Sequence, residues 1–229
     1  MRMSNHWRFL ELSLPAPDLA ASLGFYRDLG FTELTTGDIR NYGYAVVSDG
    51  RIAIGLHAQE LPAAALSFVQ KDTANWARQL MAAGFELEFQ RLGSDDFHEF
   101  GLAGPGGTLA VLMEAATFSP WSESVLPITG QASYLGLNCA DLEAGIEFWQ
   151  LAGLIADRDS AEPDRIEMAA PALRLQLSVG RSTFPCLVFP FPDPELVTSL
   201  ERMGLSLRNE GNNRVLIAPE GTRLEFPVT

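Results

Sequence analysis

Apolar residues recur at every second position in some stretches and at every third or fourth position in others. This pattern predicts strands that alternate with helices. Residues 7–14 alternate like a strand, with Phe9, Glu11 and Ser13 on one face and Leu10, Leu12 and Leu14 on the other. Residues 18–31 then have helical spacing, and Asp18 stands where an N-cap belongs. Three short strand-like runs follow, the last two joined by the hairpin signal Asp49-Gly50. The order is therefore strand, helix and three strands.

This order returns three more times, so the chain is predicted to be a fourfold repeat. Each repeat would leave one sheet face uncovered, and pairing two repeats lets two curved mixed sheets form with the helices outside. The predicted class is α+β, built from four βαβββ modules at residues 7–57, 65–115, 132–180 and 184–228. The predicted domains are 1–116 and 131–229, with residues 117–130 as a linker or a surface arm.

Composition limits the classes of partner. The formal net charge of −13 disfavours binding to nucleic acid or to an anionic membrane surface. Two cysteines do not make a disulfide framework, and no apolar run is long enough for a signal peptide or a membrane span. We therefore expect a cytoplasmic protein, monomeric or homodimeric, whose partner is a small molecule.

Two sequence features carry a resemblance to a known family. The first is the helix that opens with Asp-Leu, continues through an aromatic pair such as Phe25-Tyr26 and ends in Leu-Gly. The second is a Pro-x-Gly turn before the last strand of modules two and four. With the module order, these features resemble the vicinal oxygen chelate superfamily, which includes glyoxalase I, bleomycin- and fosfomycin-resistance proteins and extradiol dioxygenases. The resemblance implies a sheet-lined cup that holds a divalent metal (Mn, Ni, Zn or Fe) through His and Glu.

The resemblance also marks where metal ligands would stand. The first-strand position lies seven residues before the Asp that opens each helix, and it reads Glu11, Ala65, Tyr134 and Cys186. The last-strand position reads Val111 in module two and Glu225 in module four, with Gly55 and Gln176 as the nearest matches elsewhere. No cup obtains the usual imidazole pair with a carboxylate. We therefore expect no metal cofactor, or at most one bound by Glu11 and Glu225.

Which modules share a cup stays open at this point. Modules one and two, and three and four, would form cups within each half. If modules one and four faced each other instead, Glu11, Cys186 and Glu225 would meet in one site.

Three functions stay in view. The first is a divergent glyoxalase- or resistance-like protein that binds a small molecule in a cup without the usual His/Glu metal site. The second is a metal-dependent lyase or dioxygenase with an atypical ligand set, and the third is an antibiotic-sequestering resistance protein. The ligand-binding candidates are Glu11, Tyr134, Gln176, Cys186 and Glu225; the catalytic candidates, if the protein is an enzyme, are Glu11, Glu225, His57 and His98.

Overall fold

The described part of the chain forms sixteen strands and four helices in the predicted module order. The structure is a computed structural model of the 229-residue chain, and it describes residues 7–36, 41–59, 61–94, 97–115, 126–180, 182, 184–190 and 194–227. The elements are β1 (Arg8–Pro15), α1 (Leu19–Asp28), β2 (Thr32–Leu34), β3 (Tyr44–Ser48), β4 (Ala53–His57), β5 (Ala65–Gln70), α2 (Thr73–Ala82), β6 (Phe89–Arg91), β7 (Glu99–Ala103), β8 (Leu109–Glu114), β9 (Tyr134–Cys139), α3 (Leu142–Gln150), β10 (Ile155–Glu162), β11 (Arg165–Ala170), β12 (Leu173–Val179), β13 (Cys186–Val188), α4 (Pro194–Arg202), β14 (Arg208–Glu210), β15 (Asn213–Ile217) and β16 (Arg223–Pro227).

Aspartates begin the helices, but not all in the same way. Asp18 and Asp141 each accept a hydrogen bond from the backbone N–H three residues on, at 3.0 Å, as N-caps do. Asp72 instead has φ +58° and makes no capping hydrogen bond. The carboxylate of Glu114 on β8 replaces it, accepting from the backbone N–H groups of Asp72 at 2.8 Å and Thr73 at 2.6 Å. Helix α2 is therefore capped by its own module's last strand.

The strands form two eight-stranded mixed sheets, one in each half of the chain. The first has the order β2-β3-β4-β1-β5-β8-β7-β6, and the second has the order β10-β11-β12-β9-β13-β16-β15-β14. Parallel pairs such as β1–β4 and β5–β8 lie inside each module, and one antiparallel pair, β1–β5 or β9–β13, joins two modules. The predicted α+β fold is confirmed. Modules pair within each half, so Glu11 and Glu225 lie in different sheets.

Strand β1 departs from strict alternation. A β-bulge shifts the register with β5 between Phe9 and Glu11. Because a bulge places two consecutive residues opposite one, Phe9 joins Leu12 and Leu14 in the core, while Leu10 packs with the apolar side chains around Ala65 on the other face. The predicted faces of Phe9 and Leu10 were therefore wrong, and those of Glu11, Ser13, Leu12 and Leu14 were right.

The two halves contact each other through equivalent elements. The buried Tyr26 of α1 donates a 2.7 Å hydrogen bond to Glu220 in the Pro-Glu-Gly turn of the second half. In the other direction, Gly106 in the Pro-Gly-Gly turn of the first half packs on the backbone of Asn138 in β9. Each half therefore presents its last turn to the first strand and helix of the other half.

Part of the predicted linker packs on the first half. The backbone N–H of Ile128 donates to the carbonyl of Leu29 at 3.0 Å, and Pro127 lies against Gly30, whose φ of +86° disfavours any side chain there. Pro127 and Ile128 therefore contact the first half, and residues 116–125 lie outside the described residues. The choice between a linker and a surface arm for residues 117–130 stays a prediction. The domain limits at 116 and 131 stay predictions. Among the described residues, no helix is long and apolar enough to cross a membrane.

We expect Asp49→Ala to lower the free energy of unfolding by about 3 kcal/mol, because three backbone N–H groups, two of them buried, lose their acceptor. The Asp49 carboxylate, 1% exposed, accepts from Arg51 and Ile52 in its own hairpin and from Ala132 in the second half at 2.7 Å. Urea unfolding provides the measurement. Asp18→Ala removes an exposed cap and serves as the control, with an expected loss of about 1 kcal/mol. Equal losses in the two variants would contradict this role of Asp49.

Candidate functional site

Each sheet has one face that packs on the helices and one that does not, and we name the second face its cup. The first cup belongs to the sheet of β1 to β8, and the second cup to the sheet of β9 to β16. Glu11 and His57 belong to the first cup, and Tyr134, Gln176, Cys186 and Glu225 belong to the second. The structure thus brings four of the five predicted ligand-binding residues to one face and separates Glu11 from them.

The first cup contains a buried polar network centred on Glu11, which is 2% exposed. Ser13 donates to Glu11 Oε1 at 2.8 Å, and Tyr44 donates to Oε2 at 2.5 Å. Ser13 also shares a 2.7 Å hydrogen bond with Ser67 on the neighbouring β5. A side chain on Gly55 would overlap the Glu11 carboxylate, since a Cβ there would lie 2.2 Å from Oε1. The bare backbone at Gly55 therefore makes the space in which the carboxylate lies.

His57 extends this network toward the surface. Its Nε2 lies 3.3 Å from Glu11 Oε1, and its Nδ1 lies 2.9 Å from the hydroxyl of the half-buried Tyr42. The Tyr44 ring packs on the imidazole, with 4.7 Å between ring centroids. His57 stands two residues after Gly55, so the alternation of β4 puts it on the face of the last-strand ligand position. The two-residue spacing from Gly55 to His57 was therefore a sequence signal that could have placed His57 on the same face as Glu11.

The rest of the first cup is apolar apart from the Ser67 hydroxyl and the ion pair of Arg91 on β6 with the buried Glu99 on β7. Ala65 and Val111, which occupy ligand positions in the family pattern, form a buried cluster with Leu109 and Met113. Leu10 packs against this cluster because of the bulge in β1. The first cup therefore offers the Glu11 carboxylate with one imidazole on β1 and β4, and the Glu99 carboxylate, already paired with Arg91, on β7, with an apolar wall on β5 and β8 between them.

The second cup is half-buried and carries charged groups. Tyr134 donates to Glu167 at 2.6 Å, and Arg174 donates to the Tyr134 hydroxyl at 2.9 Å while its guanidinium lies 4.5 Å from the ring centroid. Burial and the hydrogen bond to Glu167 raise the pKa of the Tyr134 phenol above its usual value. Tyr134 therefore stays a neutral donor near pH 7.

Glu225 is held on both of its oxygens. Arg223 Nε donates to Oε1 at 3.0 Å, and Asn213 Nδ2 donates to Oε2 at 2.9 Å. Arg223 also donates to Glu210 on the edge strand β14 at 2.8 Å. Partial burial lowers the pKa of Arg223, but the hydrogen bonds to Glu210 and Glu225 raise it overall, so the guanidinium is charged.

Cys186 on β13 is paired in register with Gly136 on β9 and with Arg223 on β16. A Cβ on Gly136 would be 2.3 Å from the Cys186 Sγ, so this glycine makes room for the thiol. Burial, followed by the nearby negative charge of Glu225, raises the pKa of Cys186 to about 12. The thiol is therefore protonated near neutral pH and is a poor nucleophile and metal ligand. Both cysteines of the chain are free.

Two further features lie outside the cups. His98 precedes β7, with Nε2 3.1 Å from the Gly93 carbonyl and Nδ1 3.9 Å from Glu114, the residue that caps α2. The structure therefore does not bring His98 to Glu11 or His57. A cavity of about 320 Å³ opens on the helix side of the second sheet, between α4 and the edge strands; it is lined by Val197, Glu201, Ser206, Leu207, Asn209 and Arg214.

The residues present do not fit the metal site that the fold family implies. In the first cup, Ala65, Val111 and Gly55 stand at the ligand positions other than that of Glu11, and none of them can bind a metal. In the second cup, Glu225 accepts from a guanidinium and an amide, and Tyr134 is engaged with Glu167. Within the described ranges, no group of three or more His, Cys, Asp or Glu side chains could hold a metal ion. Neither cup has the donor set that chelation of a divalent metal requires.

Comparison with known proteins identifies the fold. A scan against protein-family profiles gives no match, and a sequence search of curated proteins gives none either. Among solved structures, a variant of homoprotocatechuate 2,3-dioxygenase from Brevibacterium fuscum superposes with TM-score 0.67 at 13% identity, covering 98% of this chain and 72% of that one. A catechol 2,3-dioxygenase gives TM-score 0.60 at 15% identity, covering 99% of this chain and 89% of that one.

A third similar structure is the Mn(II)-bound glyoxalase from Novosphingobium aromaticivorans, with TM-score 0.63 at 12% identity, covering 99% of this chain and 83% of that one. The chain therefore has the vicinal oxygen chelate fold, and the resemblance predicted from its sequence is confirmed. At these identities the likeness establishes the fold alone.

Proposed function

We propose that this chain, which has the vicinal oxygen chelate fold, binds a small molecule in its second cup without a divalent metal. The single observation that carries the proposal is the difference in exposure between the cups. Glu11 and His57 in the first cup are each 2% exposed. In the second cup, the side chains of Glu225, Glu167 and Arg174 are 17%, 29% and 49% exposed.

The chemistry of the second cup indicates a polar ligand that both donates and accepts hydrogen bonds. Arg174 supplies donors, Gln176 supplies both functions, and the Tyr134 hydroxyl oxygen, Glu167 and Glu225 supply acceptors. The carboxylates already have hydrogen-bond partners, so they provide little net negative charge to attract a cation. A compound with two neighbouring oxygen atoms suits this lining, since the Arg174 guanidinium and the Gln176 amide can donate to both oxygens.

A metal-dependent dioxygenase or lyase is the second candidate. Glu225 favours it, because it keeps a carboxylate at the last-strand position of module four. The similar structures include a manganese-bound glyoxalase and a dioxygenase variant in complex with HPCA. This candidate requires the chain to bind one divalent ion per molecule, with Glu225 as a ligand.

We expect chelator-treated protein to bind at least one compound from a defined panel: HPCA, catechol, small 2-oxo acids and bleomycin. Binding would raise the thermal midpoint by mass action and would not need added metal. Isothermal titration then gives the Kd, for which we expect about 10 µM to 1 mM, the weak end for a small polar ligand.

Two variants locate the site. Tyr134→Phe and Gln176→Ala should each weaken binding about tenfold, the loss of one hydrogen bond. Ser67→Ala in the first cup is the control and should bind as tightly as the unchanged protein. Weaker binding in the Ser67 variant alone would move the site to the first cup. If chelator-treated protein bound none of the panel while metal-loaded protein held stoichiometric Mn, Ni, Zn or Fe, the second candidate would replace the first.

A further inference from the structure

Arg223 occupies an unusual place for a cationic side chain. It lies on β16 two residues before Glu225, and both side chains face the second cup. Its guanidinium bridges two carboxylates, with Nε 3.0 Å from Glu225 and Nη2 2.8 Å from Glu210. A positive charge therefore already stands between the two acidic groups on this side of the cup.

The same groups, without the guanidinium, would be suitable donors for a metal ion. Glu210 and Glu225 both lie within hydrogen-bond distance of one side chain, which places their oxygens around a common point. The Asn213 amide, whose Nδ2 lies 2.9 Å from Glu225 Oε2, adds a third polar group nearby. Carboxylates with an amide oxygen are a ligand set that divalent metal ions accept.

The guanidinium opposes a metal in two ways. It occupies the lone pair of Glu225 Oε1 that a metal would use, and its fixed charge repels a divalent cation at close range. A guanidinium stays charged at any physiological pH, so the repulsion of a divalent cation by Arg223 does not depend on pH in that range. Arg223 is also anchored on both sides, which holds it in the cup rather than in solvent.

We propose that Arg223 is a built-in cation of the second cup that excludes divalent metal, and that a neutral residue in its place creates a metal site on Glu210 and Glu225. The inference rests on the metal-free binding function proposed above. The Arg223 guanidinium supplies the positive charge that a bound metal ion would otherwise place beside Glu210 and Glu225.

The test measures metal binding by the full chain. Chelator-treated unchanged protein, Arg223→Gln, Arg223→Met and Arg223→Lys are dialysed against Zn²⁺ or Mn²⁺, and bound metal is counted by elemental analysis. We expect the two neutral variants to bind about one ion per chain, at least about tenfold more tightly than the unchanged protein. Arg223→Lys keeps the charge and should bind as little metal as the unchanged protein.

A double variant identifies the ligands. Arg223→Gln combined with Glu225→Gln should lose the metal that Arg223→Gln gained, and Zn²⁺ should raise the thermal midpoint of the single variant only. Either neutral variant suffices if the other fails to fold, as judged by circular dichroism.

The outcomes separate the two proposals. Folded neutral variants that bind no more metal than the unchanged protein would overturn the role of Arg223 while leaving metal-free ligand binding intact. Stoichiometric metal on the unchanged protein would overturn both proposals. Metal on Arg223→Gln that survives the Glu225 substitution would show that the ion lies elsewhere, and it too would overturn the site assigned here.

Discussion

Gly106→Ala should destabilise the protein by about 4 kcal/mol or more, because the substitution combines backbone strain with a steric clash. Gly106 has φ +90°, a conformation that side chains disfavour. An alanine Cβ would also lie 1.8 Å from the carbonyl oxygen of Asn138 and 3.3 Å from the Cα of Cys139, both on β9 of the second half. Relief requires the turn and β9 to move apart, which opens the contact between the halves.

Gly84→Ala provides a matched control for this prediction. Gly84 follows α2 with φ +91°, and an alanine methyl group there would have no described atom within 4 Å apart from those of its chain neighbours. Only backbone strain remains there, so we expect a loss of about 1–2 kcal/mol. Urea unfolding of both variants gives the comparison. Similar losses would mean that the turn does not press on β9 as the distances indicate.

Glu11→Ala should lower the free energy of unfolding by about 3 kcal/mol, since the buried Ser13 and His57 and the half-buried Tyr44 lose their shared partner. Ser13 and Tyr44 donate to the carboxylate, and His57 Nε2 lies 3.3 Å from it. The alanine variant leaves these three groups without the carboxylate. Bulk water does not replace it, because the Glu11 position is only 2% exposed. Glu11→Gln keeps the shape and one acceptor oxygen, so its expected loss is about 1 kcal/mol.

The counterpart in the second cup is Glu225→Ala. Its partner Arg223 keeps Glu210 and is partly hydrated, so the expected loss is about 1 kcal/mol. Chemical unfolding of the Glu11 and Glu225 variants measures the contrast. A Glu11→Ala protein as stable as the unchanged protein would show that the first cup is not a buried polar core. It would also return Glu11 to the ligand-binding candidates.

The carboxylates of Glu11 and Glu225 have different surroundings in the two sheets. In the first cup, Glu11 is enclosed by hydroxyls and an imidazole, and an apolar cluster occupies the other ligand positions. In the second cup, Glu225 is paired with Arg223 beside half-buried polar groups. The first arrangement stabilises the fold, and the second leaves polar groups accessible to a ligand.

Sequence reasoning recovered the elements well because each has a strong local signal. The strand Ala65–Gln70 and the strand Leu173–Val179 were predicted with the bounds that the structure has. Helix α1 was predicted from Asp18, which caps it as expected. The bulge in β1 was not predictable, since its cause is the pairing with β5 and not the alternation of β1 itself.

The site residues likewise divide into those that local spacing predicted and one that depends on strand pairing. Counting back seven residues from the helix Asp found Glu11, Tyr134 and Cys186, and all three lie on cup faces, although the fourth helix Asp, Asp193, lies outside the described residues. This spacing missed Arg223, because an arginine two residues from a glutamate on a strand looks like any exposed pair in sequence. Its importance comes from Glu210, which a neighbouring strand brings within 2.8 Å.

The sequence by itself determined the four modules, the vicinal oxygen chelate fold and the lack of the usual imidazole pair with a carboxylate at the ligand positions, since these depend on local periodicity and on residue types at fixed spacing. Only the tertiary structure decided that modules pair within each half and that Glu11 and Glu225 are apart. It also decided that Glu11 and His57 are buried together and that Arg223 bridges Glu225 and Glu210. Strand pairing brings together residues far apart in the chain, and burial then sets which charges reach solvent, so neither follows from local pattern.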